Sequence, residues 1–332
     1  MFGRKYFRRF LVLLLAAPVI APAFPETVRR REIRVSELKL DDHRKDEASF
    51  ARPVAIAHDA RAVYVVDADD HAIRIFSKEG VYSGSFGRRG QGPGEFDSPA
   101  DLDIRDNRIY VSDRFNKRIQ ILDGSGKYMG GFRVSFSPDQ ICVLEDGKIV
   151  VSHLPLGAGG PEPMVHCFSG EGRLLWEREE SFFSGERVYD MFRNLLVLVK
   201  GGAGDIWIVR KSDTRTISHL DGDGNELAPL RAADDYVSRE ITLPLGGKAR
   251  RVLKAFCWDA AFGSQGLGLL APDPAGRGDL GPGTQIFLFG PADGRVRGVI
   301  GLPESMNRID LDDGRIFAFD LENRLRIFRT DL

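Results

Sequence analysis

The sequence predicts an all-β fold, a six-bladed β-propeller of four-stranded antiparallel blades. Three observations predict it. The first is a self-match at a fixed period: residues 87–132 align without a gap on the stretch 46 positions earlier. Pro53 falls on Pro99, Tyr64 on Tyr110, Asp67 on Asp113, Ile73 on Ile119, Gly80 on Gly126 and Phe86 on Phe132. A repeat of this length marks an architecture of stacked or radial units. The second is local chemistry. Runs such as RIYVS (108–112) and RIQIL (118–122) are rich in β-branched and aromatic residues, and RDN and DGSG between runs supply turn residues. Such a small sheet with two apolar faces needs neighbours on both sides, which radial packing provides. The third is a strand count. The last repeat has three strands, at 308–311, 315–319 and 324–328, while 32–40 is a strand without a sheet. Joining them completes a sixth blade and removes two open sheet edges. Six blades at this period need about 276 residues, and 53–332 supply 280.

The elements follow in order. Residues 1–23 have the form of a secretory signal: Arg4, Lys5, Arg8 and Arg9, an apolar run over 10–20, and the small-x-small site Ala21-Pro22-Ala23. The run is short for a membrane span, so no integral span is expected once the signal is cut. Residues 24–31 are a polar linker, and 32–40 (EIRVSELKL) alternate apolar and polar. The domain expected is 32–332, with 32–40 pairing against 324–330 as the closing strand of the last blade. Repeats one and two run over 53–86 and 99–132. Repeat three has strands at 141–144, 149–152, 165–168 and 173–176, with a Gly- and Pro-rich insert at 154–163. Repeat four has strands at 195–199, 205–209 and 217–220, and a charged insert covers 231–251. Repeat five has strands at 256–262, 266–271, 285–289 and 295–301.

The most regular stretch carries a family resemblance. The run Gly87, Gly90, Gly92, Gly94, Phe96, Pro99 is followed by Asp113, Asn116, Arg118 and Ile119 and then Asp123-Gly124-Ser125-Gly126. It resembles the NHL-repeat β-propellers. The full motif occurs once; repeat one lacks the glycine run, and later repeats drift. The resemblance implies the propeller architecture. It is nearly silent on activity, because NHL propellers serve as binding platforms and some relatives are enzymes.

Composition narrows the function classes. Lys plus Arg is 47 and Asp plus Glu is 48, a balance that argues against a general nucleic-acid binder. The three cysteines, Cys142, Cys167 and Cys257, are too few for a disulfide framework. Cys142 and Cys167 fall on apolar positions of the repeat, so they are expected to be small buried hydrophobes.

Candidate chemistry is sparse. The run 87–94 joins strand to strand, where a phosphate cradle needs a strand before it and a helix after it, so it is expected to be an inter-blade crossover. The run 221–226 begins like a calcium loop but has Glu226 at the sixth position and Ala232 at the twelfth, so a hairpin is expected there. Asp67, Asp113 and Asp320 each end the second strand of a repeat and are expected to accept amide N–H groups across the corner that follows. Of the histidines, only His58 maps near an inner strand, which argues against a channel metal held by several histidines. No catalytic residues, metal ligands or cofactor are indicated. In propeller topology, crossovers and the corners between second and third strands share one rim. That rim would carry Arg88, Arg89, Arg114 and Lys117 with Phe115, Asn116 and His71, a cationic face with an exposed aromatic.

The function expected from these residues is an exported, periplasmic or secreted, non-catalytic binding or scaffold module. It would be a monomer that meets a protein or glycan partner on the crossover face. The competing expectation is a propeller lyase or hydrolase with its site at the mouth of the central channel, which would gather acids, histidines or arginines from several blades around the axis.

Overall fold

The structure is a computed structural model. It describes residues 31–37, 50–155, 160–212, 215–232, 239–244, 250–272, 282–290 and 292–331. The expected signal (1–23) and most of the linker lie outside the described residues. Two short strands, β1 (Arg31–Ile33) and β2 (Val35–Glu37), precede the blades. Blade one is β3 (Pro53–His58), β4 (Ala62–Asp67), β5 (Ala72–Ser77) and β6 (Tyr82–Phe86). Blade two is β7 (Pro99–Arg105), β8 (Arg108–Asp113), β9 (Arg118–Asp123) and β10 (Tyr128–Arg133). Blade three is β11 (Ile141–Val143), β12 (Ile149–Ser152), β13 (Pro163–Phe168) and β14 (Leu174–Glu180). A helix absent from the expected strand order, α1 (Arg187–Arg193), precedes blade four. Blade four is β15 (Leu196–Lys200), β16 (Ile206–Arg210), β17 (Thr216–Leu220) and β18 (Leu230–Arg231). The charged insert holds an antiparallel hairpin, β19 (Arg239–Pro244) and β20 (Arg250–Ala255). Blade five is β21 (Asp259–Gly263), β22 (Gly266–Pro272), β23 (Pro282–Phe289) and β24 (Val296–Gly301). Blade six is β25 (Met306–Asp312), β26 (Arg315–Asp320) and β27 (Leu325–Thr330).

Within each blade successive strands pair antiparallel, and the first strand is innermost. The second strands are nearly continuous apolar runs because both their faces are covered. In β4, Val63 and Val65 pack with Phe317, Phe319 and Ile327 of blade six. The intervening Tyr64 and Val66 pack with Leu102, Ile109 and Val111 of blade two. The same alternation builds buried clusters at the remaining four interfaces, so all six contacts between neighbouring blades are apolar and the ring closes. Hydrogen bonds also link blades one period apart. Arg52 donates to Ser98 Oγ and Arg61 to Asn107 Oδ1, both 46 residues on. Trp176 and Arg178 donate to Gly222 O and Gly224 O, again 46 residues on.

The N-terminal segment differs from the single closing strand expected. It is divided at Arg34. β1 runs parallel to β24 on the outer edge of blade five, with Ile33 opposite Ile300. β2 pairs antiparallel with β27 of blade six, with Val35 opposite Thr330 and Glu37 opposite Phe328. Residues 38–40 lie outside the described residues. The physical reason lies in Ile33 and Val35, which both enter the apolar cluster between blades five and six. The alternation in the sequence records burial in that interface, and burial there does not require one partner strand.

Candidate functional site

The crossover between blades one and two is held in shape by the corner between β8 and β9. Gly87 opens it with φ +96°, and a Cβ there would lie 2.6 Å from the Phe96 ring, so only glycine fits. Gly90 N–H donates to Phe96 O and Phe96 N–H to Arg88 O. Glu95 accepts the Gly92 N–H at 2.9 Å and pairs with Arg88. The amide first and the guanidinium second hold its carboxyl below the usual glutamate range. The Arg118 guanidinium donates to Gln91 O, Gly92 O and Glu95 O, and Gln120 and Asn116 donate to Glu95 O and Gly90 O.

Behind this loop sits Asp113, fully buried. It accepts from Asp97 N–H (2.8 Å), Asn116 Nδ2 (2.9 Å), Arg118 Nε (2.8 Å) and Gln120 Nε2 (3.2 Å). Asp67 takes the N–H groups of Ala51, Arg52 and Asp70, and Asp320 those of Glu322 and Arg324. The carboxylates are structural acceptors, as expected. Two of them differ from the expectation in detail: Asp113 takes its amide, and Asp67 two of its three, from the segment before its own inner strand, and the following corner reaches Asp113 through Asn116.

The rim residues named from the sequence separate into two sets. Arg88 and Arg89 have side chains 80% and 77% exposed, Phe115 is 63% exposed, and Lys117 is exposed. Arg88 pairs with Glu95 and Arg89 stands 3.9 Å from Asp97, yet both side chains remain mostly open to solvent. The other three are held inside the fold. Asn116 holds the crossover, His71 Nδ1 accepts the Ser98 N–H at 3.0 Å, and Arg114 pairs with Asp139. Arg114 also lines the central channel, so it joins the exposed rim to the axis.

The channel holds a cavity of about 510 Å³, lined by residues 54–58, 100–103, 141–142, 196–200, 259–262 and 308–311 of the six inner strands. Acids, cations and a histidine from several blades do surround the axis. Most of them latch one inner strand to the next. Asp101 and Asp103 accept Ile141 N–H and Val143 N–H, and Gln140 exchanges two hydrogen bonds with Leu196 O and Leu198 N–H. Asp259 accepts Ile309 N–H, and Arg308 Nε donates to Val54 O. These bonds satisfy inner-edge backbone groups that no fifth strand covers. Burial pushes the Asp101 carboxyl up to about 8, against the two amides beside it. At the end of the channel away from the crossovers, Lys200 grips both oxygens of Asp103 (2.8 and 2.9 Å), and His58 lies 2.5 Å from Asp310. Sequence reasoning missed this lining, because alternation identifies inner strands without showing which polar residues face the axis. Among the described residues no three His, Cys, Asp or Glu side chains gather as a metal site.

A family model described as a 6-bladed β-propeller matches residues 43–153, which span blades one and two and the first half of blade three. Human NHL repeat-containing protein 3 is 30% identical over 117 residues, 32% of this chain and 34% of that protein. The chain is a six-bladed β-propeller, similar over part of its length to an NHL repeat-containing protein. It spans about a third of the length of that human relative. Among solved structures, this propeller is similar in fold to a Bacteroides fragilis protein described as exported (TM-score 0.60, 13% identity, 90% of this chain and 95% of that one). It is also similar to virginiamycin B lyase of Staphylococcus aureus, solved in an inactive form with quinupristin (0.53, 11%, 90% and 99%). A gluconolactonase of Xanthomonas campestris is a third (0.54, 13%, 86% and 87%). At these identities the likeness is one of fold.

Proposed function

We propose that this propeller is an exported binding module whose crossover face receives a protein or glycan partner bearing acidic groups. One observation carries the proposal. Arg88, Arg89, Phe115 and Lys117 stand out from a loop and corner that are tied together by Asn116, Arg118, Gln120 and Asp113. A cationic and aromatic surface on a rigid support loses little entropy on binding. The sequence features of residues 1–23 favour export, and the Bacteroides fragilis neighbour is itself described as exported. No helix among the described residues is long and apolar enough to cross a membrane. The test is retention on an immobilised acidic glycan, polygalacturonate. The wild type is retained at low salt and released as salt rises, because exposed charges are screened. The triple variant Arg88→Glu, Arg89→Glu, Lys117→Glu runs through with its melting temperature unchanged. Equal retention of that variant would overturn the proposal.

A second reading has its own support. The channel does bring charged groups of several blades to one axis, and Asp101 is a carboxylic acid kept protonated near neutral pH by its surroundings. A propeller lyase or hydrolase would use such a group as a proton donor. Turnover that follows Asp101 and ignores the rim triple variant would favour this second reading.

A further inference from the structure

The crossover-side mouth of the channel contains a cation that the fold does not use. Lys211 follows β16 as Arg114 follows β8, and both side chains line the channel. Arg114 has Asp139 as its partner. Lys211 has a structural role only through its backbone: its N–H donates to Leu195 O, and its O accepts the N–H groups of Phe256 and Cys257. Among the described residues no acceptor lies within hydrogen-bonding or ion-pair distance of its ammonium. The carboxylates nearby are already engaged. Asp139 holds Arg114, and one oxygen of Asp259 takes Ile309 N–H at 2.9 Å. The other Asp259 oxygen stands 3.9 Å from Arg308 Nη1. Arg308 spends its Nε on Val54 O and holds Asn307 O only at 3.5 Å, so its outer nitrogens retain donor capacity.

We propose that this mouth binds the carboxylate or phosphate group of a small anionic molecule, held between Lys211 and Arg308 with the rest of the molecule in the channel. Two neighbouring cations sharing one shielded pocket repel each other, and an anion between them removes that cost and fills the open donors. The cavity, about 510 Å³, is of a size that encloses small-molecule ligands. A macromolecular acid is a poorer fit, since Lys211 stands inside the channel lining and not on the rim. Burial holds the free Lys211 ammonium below the ordinary lysine range, and Arg308 pushes it the same way. Asp259, Cys257 and Asp139 oppose this; Arg52 and Arg114 are the other cations of the mouth. A bound anion favours the protonated amine, so affinity falls as pH rises through the free-state titration of Lys211.

The test is calorimetric titration of the whole protein with three probes: glutarate, inorganic phosphate and the neutral glutaramide. At least one anion binds the wild type, and glutaramide binds at least tenfold more weakly or not at all. Lys211→Met, with an unchanged melting temperature, loses tenfold or more. Lys211→Arg keeps binding within about threefold and removes the pH dependence seen with glutarate, whose carboxylates stay ionised across that range. If Lys211→Met does not fold, Lys211→Arg and the pH profile of the wild type decide. The comparison of glutarate with phosphate tells which acid group the mouth prefers. No binding of either anion, equal binding of glutaramide, unaltered binding by Lys211→Met, or a pH profile that Lys211→Arg leaves in place would each overturn the proposal. The site shares a face with the proposed docking surface but does not depend on it. The rim triple variant, which tests that surface, keeps its anion affinity if the channel site is real.

Discussion

Replacing Asp113 with alanine removes the one carboxylate that joins β8, the β8–β9 corner and the preceding crossover. Four donors lose it: Asp97 N–H, Asn116 Nδ2, Arg118 Nε and Gln120 Nε2, at 2.8–3.2 Å. Asn116 retains Gly90 O, Gln120 retains Glu95 O, and Arg118 retains three carbonyls. Arg118 nevertheless stays charged, with a side chain only 14% exposed and no anion beside it. Breaking a buried ion pair from one side costs about 3–5 kcal/mol, and the orphaned Asp97 amide lies within that range of effects. Asp113→Asn keeps the shape and an acceptor while losing the charge, and is expected to cost about 1–3 kcal/mol. The exposed pair Lys254–Glu240 at 3.7 Å serves as a control, and Glu240→Ala is expected to cost about 0–1 kcal/mol. Urea unfolding read by the fluorescence of Trp176, Trp207 and Trp258, which lie in or beside blades three, four and five, gives the three values. The order alanine, asparagine, control is the prediction. A loss under about 1 kcal/mol for Asp113→Ala, against the expected buried-pair cost, would refute the view that this carboxylate organises the corner.

Four further outcomes follow from the packing. Gly172→Ala places a Cβ 2.4 Å from the Phe132 ring at φ +86°, so it is expected to cost about 1–3 kcal/mol in the same urea assay. Cys142, Cys167 and Cys257 are buried and free, and burial pushes the thiols of Cys167 and Cys257 up to about 12; a thiol reagent is expected to label none of them until denaturant is added. His58 sits at the seam of blades six and one, where burial lowers its pKa but the charge and hydrogen bond of Asp310 outweigh this and raise it above the ordinary 6.5. Its stabilisation is therefore complete below pH 6.5 and fades as pH rises through the folded-state pKa, a dependence on melting temperature that His58→Gln should remove. A chain lacking residues 31–37 uncovers the edges of β24 and β27 and takes Ile33 out of the blade five–six cluster; its melting temperature is expected to fall by several degrees, since about 1 kcal/mol shifts a domain of this size by roughly 2–4 °C, and light scattering should show association through the freed edges.

Much of the fold was legible because the repeat states it twice without a gap. Tyr64 and Tyr110, Ile73 and Ile119, and Phe86 and Phe132 occupy equivalent positions in the sequence and in the blades. The strands of blades three to six were legible from their apolar runs despite the drift of the motif, except β18, two residues at the edge of the charged insert. The helix 187–193 was not, for it is only seven residues long and has no capping side chain at its start. The hairpin 239–255 lay hidden in a charged insert. Of the candidate site, the shared rim was legible from topology, and the exposed Arg88, Arg89, Phe115 and Lys117 are where the repeat places them. The engagement of Asn116, His71 and Arg114 was not legible, because each depends on a partner in a different loop or blade. Lys211 gave no signal at all, since blade four has lost the motif that marks Arg114.

Hydrogen–deuterium exchange with and without polygalacturonate tests the central claim most directly, because it reports which face is covered. Binding at the crossover face predicts slowed exchange across 88–97 and 114–117, relieved by salt and absent in the triple rim variant. Protection confined to the outer strands β6, β10 and β14, or protection of the rim that persists in the triple variant, would contradict the account.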